Sequence, residues 1–294
     1  MVVPTGLLLV DKPAGLSSHD VVSRVRRRLG IKRVGHAGTL DPAATGLLVL
    51  GVGPGTKLLR FIEAEHKTYE ATVRLGRSTT TEDAEGETVE EVLVAAGPAL
   101  EAAVREAALR LEGRLEQTVP AFSAVKVDGE RLYRKARRGE EVTRPRRSVE
   151  IRCLRVLGVE GPEVRIEAQV SKGTYIRTLG VQLGQAIGLP AHVSVLRRTR
   201  IGAFSVEEAH ALEEFGVDDL RPLIEALPAW VEVDERSSQR IVRGQPVEPP
   251  PGTPDGPVGL VNPRWGLLGV AQRQEANEPL RYLCVLQTPD QVSS

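Results

Sequence analysis

Twelve consecutive residues, Gly-His-Ala-Gly-Thr-Leu-Asp-Pro-Ala-Ala-Thr-Gly at positions 35–46, restrict the fold of this chain more than any other stretch. Gly35, Gly38, Gly46 and Pro42 break any helical or strand period, so the backbone here is shaped locally, mostly as surface loop. The stretch carries one imidazole, His36, and one carboxylate, Asp41. Two readings are open from these residues. In one, Asp41-Pro42 starts an ordinary turn and His36 donates hydrogen bonds. In the other, a preformed loop presents an ionised Asp41 to a substrate and His36 touches whatever is bound.

A chain of 294 residues can bury a real core and hold one large domain plus a small one. Its only cysteines, Cys153 and Cys284, exclude a disulfide framework or a Cys-rich zinc site and suit a reducing cytosol. Residues 1–10 lack the basic and long apolar regions of a secretory signal, and no run approaches the ~18 apolar residues of a membrane span. A soluble, cytoplasmic protein that needs no membrane is expected.

The net charge of zero hides an uneven distribution. Residues 1–60 hold nine Lys or Arg against three Asp or Glu, residues 131–147 eight against two, and residues 171–200 five against none. The balance lies in 61–116, six against thirteen, and in 207–239, two against ten. Basic segments that converge in space would make a phosphate-binding face, whereas segments that stay apart would be ordinary solvated helix faces.

In chain order, the apolar run 6–10 reads as a buried strand stopped at Pro13. A helix follows, with Ser18 as N-cap, Val21, Val22, Val25 and Leu29 on its apolar face, and Gly30 at its end. Residues 47–50 form a second buried strand. The run 51–57 fits neither phosphate-loop spacing, because Lys57 does not directly follow a glycine, and it is read as a turn into a helix over 56–64. Alternation at Tyr69, Ala71, Val73 and Leu75 predicts a half-buried strand with Tyr69 inward, either as a core tyrosine or as a site residue. Residues 77–98 read as an exposed acidic loop and 100–111 as a helix. Over 117–147 the chain becomes a mobile basic arm. It turns at Asp128-Gly129 and then interleaves arginines with Tyr133, as suits nucleic acid. Strands are expected over 149–159 and 164–170, and a helix opens from 171–177 and runs to about 187. Arg177 in its early turns opposes the helix dipole, which a carboxylate partner would justify. Leu196-Arg197-Arg198 lies in the next strand, and Ser205 with Glu208 makes a capping box for a further helix. Six of the twelve residues 246–257 are proline, an extended loop among the short apolar runs of a small β module.

Six segments in order resemble the TruB family of bacterial tRNA pseudouridine-55 synthases: residues 8–18, 35–46, Lys67-Thr-Tyr-Glu70, 120–126, Ser171-Lys-Gly-Thr-Tyr-Ile-Arg177, and Leu196-Arg-Arg-Thr199. The resemblance implies an α+β pseudouridine synthase fold over 1–230. Its central sheet is mixed and largely antiparallel, flanked by helices, and the basic RNA-binding arm lies at about 120–147. A small β-rich, PUA-like RNA-binding module would occupy 231–294. It also implies that one T-loop uridine of tRNA is flipped out and isomerised to pseudouridine. The family's nucleophile falls on Asp41, its base-stacking tyrosine on Tyr69, and the aspartate's ion partner on Arg177. His36 falls where the family enters the RNA fold, Tyr175 and Leu196 where it packs around uracil, and Lys12 in the first motif as a substrate contact. Phe122 stands where relatives often carry tyrosine.

The chemistry agrees with this assignment. Exchanging an N-glycosidic for a C-glycosidic bond involves no net redox change, so no cofactor and no metal are called for, and a carboxylate nucleophile suffices. A monomer acting on the T-arm of tRNA without a protein partner is expected. Two other readings use the same basic face: an RNA-folding chaperone, and a synthase directed to ribosomal RNA by a guide complex.

Overall fold

A computed structural model describes residues 4–123, 125–127, 129–138, 140, 143–274 and 278–292. Asp128 of the expected turn, Ala124 of the 120–126 segment, and Gly139, Glu141 and Val142 of the arm lie outside the described residues.

The chain opens with β1 (Gly6–Lys12), α1 (Ser18–Leu29), β2 (Val34–His36) and β3 (Thr45–Val52). β1 and β3 run antiparallel with Leu8 opposite Leu50. Both are covered on two faces. Leu7, Leu9, Leu47 and Val49 enter one apolar cluster, and Leu8, Val10, Leu48 and Leu50 enter another with Val21, Val22 and Val25 of α1. Double burial is why these strands read as unbroken apolar runs rather than alternating ones.

The cap of α1 is Ser17, one residue earlier than expected. Ser17 Oγ accepts from Asp20 N at 3.2 Å while Asp20 Oδ2 accepts from Ser17 N at 2.9 Å, a reciprocal box. Ser18 is unavailable because it is buried and turned inward, where its Oγ accepts from Leu40 N at 2.9 Å. The expected helix over 56–64 is two pieces, a 3-10 turn Gly53–Lys57 with Pro54 in its first turn and then α2 (Leu59–Ala64).

β4 (Lys67–Leu75) alternates as predicted. Residues 84–98 are largely exposed as expected, but Thr79 is buried and residues 81–83 are half-buried, and the span is not plain loop: β5 (Arg77–Thr79) and β6 (Thr88–Glu91) pair antiparallel. After α3 (Pro98–Arg110) come β7 (Gly113–Thr118), the short arm elements β8 (Lys126–Val127), β9 (Glu130–Arg131) and α4 (Leu132–Arg137), and the long hairpin β10 (Arg146–Glu160) and β11 (Glu163–Val170). α5 (Ile176–Ala186), β12 (Ala191–Ile201), β13 (Phe204–Ser205) and β14 (His210–Ala211) follow. The Ser205–Glu208 box is formed, but it heads a 3-10 turn of three residues, because Ala209 returns to extended backbone.

The main sheet has the order β14-β1-β3-β12-β4-β11-β10-β7, with β2 beside β3 and β13 beside β12. Only β1–β14 and β3–β12 are parallel pairs, so the sheet is mixed and largely antiparallel. α3 and α5 cover one face through Val104, Ala107, Ala108, Leu179 and Leu183.

The C-terminal module is a four-stranded sheet, β15 (Trp230–Glu232), β16 (Pro257–Asn262), β17 (Gly266–Gln272) and β18 (Arg281–Val285), with α6 (Glu235–Val242) and α7 (Pro289–Val292) against it. Its Leu267, Val270 and Leu286 share an apolar cluster with Leu7, Leu9, Leu58 and Ile62. Lys57 and Arg60 also donate to the Val285 and Leu283 carbonyls. Among the described residues no helix is long and apolar enough to cross a membrane.

Candidate active site

The 35–46 loop hangs between β2 and β3, and buried cations from elsewhere in the chain hold its shape. Lys12 Nζ donates to Pro42 O at 3.1 Å, to Leu16 O at 2.7 Å and to Pro13 O at 2.9 Å. Arg198, 1% exposed, donates from Nη2 to Gly38 O at 3.0 Å and from Nε to Leu47 O at 2.8 Å, joining the two arms of the loop. Gly46 has φ +104°, and a Cβ there would lie 2.2 Å from Arg198 O. Only glycine lets the loop close this tightly.

Asp41 stands at the tip, its side chain 42% exposed, with Oδ2 3.0 Å from Arg177 Nε. The Arg177 guanidinium is buried. Its Nη1 donates to Thr81 O at 2.8 Å and faces Asp83 Oδ2 at 3.4 Å, and its Nη2 donates to Phe122 O at 2.9 Å. α5 supplies the arginine and the β5–β6 turn supplies Asp83, so the cation's orientation is fixed from three sides. Next to Asp83, Glu82 adopts φ 65°, which a non-glycine residue rarely does, and accepts from Thr178 Oγ1 at 2.8 Å. Burial pushes the Glu82 carboxyl above its ordinary range, against the opposing bond from Thr178 and the charge of Arg177.

Asp41 and Arg177 open onto a cavity of about 820 Å³ whose walls include Tyr69, Tyr175 and Leu196. Tyr69 points inward from β4 opposite Ala168 and Arg198, as the alternation predicts, and Tyr175 is the N-cap residue of α5. Arg60, Arg147 and Lys172 reach the same cavity from α2, β10 and the segment before α5, so part of the expected convergence of basic segments is present. Lys67 also lines it. Burial, then the charge of Arg198, pushes its ammonium down to about 8.

Two expected substrate contacts sit elsewhere. Lys12 does not line the cavity; it is fully buried and spends its ammonium on backbone carbonyls, so it shapes the Asp41 loop instead. His36 also lies outside the lining, with Nδ1 buried and unpartnered and its imidazole pushed down by burial. Asp83, Arg198 and Gln117, which pairs with the backbone N–H and C=O of Tyr175, are not identifiable as site residues from sequence. Among the described residues no group of three or more His, Cys, Asp or Glu side chains is placed to hold a metal ion.

Comparisons with known proteins identify the family of the chain. Residues 26–176 match the model of the TruB family pseudouridylate synthase N-terminal domain, and residues 177–221 match the tRNA pseudouridylate synthase B C-terminal domain. The tRNA pseudouridine synthase B of Thermobifida fusca is 46% identical over 94% of this chain and 97% of its own. That of Arthrobacter sp. is 41% identical over 90% and 92%. Among solved structures, the archaeal box H/ACA sRNP Nop10-Cbf5 complex has a chain that superposes with TM-score 0.75 at 21% identity, covering 99% of this chain and 89% of that one. That likeness is one of fold, and it extends through the C-terminal module, which neither family model reaches. Fold and family matches together define a pseudouridine synthase, an isomerase. Within that class the chain belongs to the TruB family.

Proposed function

We propose that this synthase isomerises uridine 55 in the T-loop of tRNA, with Asp41 as nucleophile. The observation that carries the reading is the Asp41–Arg177 pair, 3.0 Å apart, opening onto a cavity walled by Tyr69 and Tyr175. An exposed carboxylate whose orientation is set by a buried cation is placed to attack, and aromatic walls suit a base that must be held while its glycosidic bond is broken.

In the proposed reaction an Asp41 oxygen attacks C1′ of the flipped nucleotide and the C1′–N1 bond breaks, its electron pair leaving with uracil. The retained uracil turns so that C5 faces C1′. The new C1′–C5 bond displaces Asp41 as a carboxylate, and the C5 proton passes to the Tyr69 hydroxyl oxygen as that hydroxyl releases its own proton to solvent, from which N1 takes one up, so that one proton moves net from C5 to N1. A buried base is reached by flipping, with His36 entering the space it leaves. Arg147, Lys172 and the arm hold backbone phosphates, so affinity is salt-dependent and largely blind to sequence. Substrate tRNA is the one that the names of the bacterial relatives carry. The chain acts as a monomer without a protein partner.

The test is to incubate purified protein with unmodified tRNA transcript and map pseudouridine at single-nucleotide resolution. Modification at position 55 alone is expected, and Asp41→Asn is expected to bind the transcript and modify nothing. Turnover by Asp41→Asn near the wild-type rate would sink the nucleophile assignment.

A further inference from the structure

β7 is an edge strand of the main sheet, and Gln117 is its one buried residue, 1% exposed. A buried amide on an edge strand must find partners for both its ends or its burial is costly. Gln117 finds them on the backbone of a single residue, Tyr175. Its Oε1 accepts from Tyr175 N at 2.9 Å and its Nε2 donates to Tyr175 O at 3.2 Å. The same Nε2 donates to Gln182 Oε1 at 3.2 Å, and Gln182 Nε2 donates back to Glu116 O at 3.1 Å. The side chain therefore pairs with Tyr175 as a neighbouring strand would, in both directions at once.

Tyr175 is the N-cap of α5 and has no side-chain cap of its own, because a phenol cannot reach back to the helix N–H groups. Its carbonyl already receives the first intrahelical bond, from Leu179 N at 3.0 Å. Gln117 thus fixes the peptide from which the Tyr175 side chain enters the cavity, and Arg177, Asp41's ion partner, follows two residues later. The strap that continues from β7 reaches the same cation, since Phe122 O accepts from Arg177 Nη2 at 2.9 Å.

We propose that Gln117 is a positioning residue for the isomerisation. By holding the Tyr175 peptide through both amide ends, it sets the aromatic wall and the arginine of the active site. The consequence for catalysis rests on the function proposed above, whereas the positioning itself does not.

The experiment has two readouts. Hydrogen exchange followed by mass spectrometry on the whole protein reads positioning directly. In Gln117→Met, peptides spanning 175–179 are expected to exchange at least tenfold faster, with those from β1 and β3 unchanged. Single-turnover rates and tRNA Kd read the consequence: the rate is expected to fall about tenfold at saturating tRNA while Kd stays within twofold, a split that general loss of fold does not give. If Gln117→Met does not fold, Gln117→Glu, which keeps the acceptor and loses the donor, carries the same two measurements. Exchange at 175–179 that matches the wild type overturns the positioning role. Faster exchange with an unchanged rate overturns its catalytic consequence. A wild-type protein that makes no pseudouridine fails the functional reading alone.

Discussion

Arg177 meets Asp41 through Nε, 3.0 Å from Oδ2, while its two terminal nitrogens are committed to Thr81, Phe122 and Asp83. The cation that pairs with Asp41 is thus held by two segments that sequence separates widely, 81–83 and the one at Phe122, and a change at either reaches Asp41.

Replacing the cation tests this directly. In Arg177→Met the carboxylates of Asp41 and Asp83 lose a shared partner buried at 4% exposure. Removing one member of such a set costs about 3–5 kcal/mol, and the low end applies because Asp41 is partly solvated. Urea unfolding should show that loss, and single-turnover pseudouridine formation should fall by more than about a hundredfold, as for a lost electrostatic contact at the reacting group.

Asp83→Asn is milder. The amide keeps the volume and one acceptor beside Arg177 Nη1 but gives up the charge. We expect a rate loss of about tenfold with tRNA Kd unchanged, since the ion pair at 3.4 Å loses one charge but keeps its neighbour, and tenfold corresponds to about 1.4 kcal/mol. A Kd that weakens in step with the rate would mean that Asp83 serves binding rather than orientation.

Gly46→Ala places a Cβ 2.2 Å from Arg198 O at a backbone φ of +104°. Steric overlap and left-handed strain act together, so destabilisation of at least about 3 kcal/mol is expected, read as a drop in Tm or in the urea midpoint. The two arms of the Asp41 loop should separate in the same variant, with activity lost before the fold is.

Lys67 offers a pH test. Burial holds its ammonium at about 8 in the folded protein, below the ordinary 10.5. Between those values the unfolded chain keeps a proton that the folded chain has released, so this group makes stability rise with pH, by at most about 1.4 kcal/mol per unit. Below pH 8 both forms are protonated and the burial penalty is felt in full. The stability of the wild type relative to Lys67→Met, measured in urea at pH 7.5, 8.5 and 9.5, should therefore climb; parallel curves would contradict the assignment.

Much of this was legible in the chain. Period-two alternation put Tyr69 on the inner face of β4, and the glycines of 35–46 marked a locally shaped loop around Asp41. Arg177 stood out because a cation early in a helix needs a reason, and Asp41 supplies it. Asp83 was hidden in an acidic, exposed-looking stretch, and its partner lies almost a hundred residues away, where local periodicity carries no information. Lys12 reads as a substrate contact and Arg198 only as part of a strand, because sequence does not show that backbone carbonyls will surround them. Ser17 and Ser18 were exchanged for a similar reason: either could cap α1, and the long-range bond from Leu40 N to Ser18 decides between them.

The apolar cluster that joins Leu267, Val270 and Leu286 to Leu7, Leu9, Leu58 and Ile62 makes the two parts of the molecule thermodynamic dependants of each other. Cutting the chain after residue 230 would leave β1 and α2 with wet leucines beneath the strand that leads to Lys12 and the Asp41 loop. A scanning calorimeter should accordingly record a single endotherm for the intact protein. The terminal module is ballast for the Asp41 loop as much as an attachment to it.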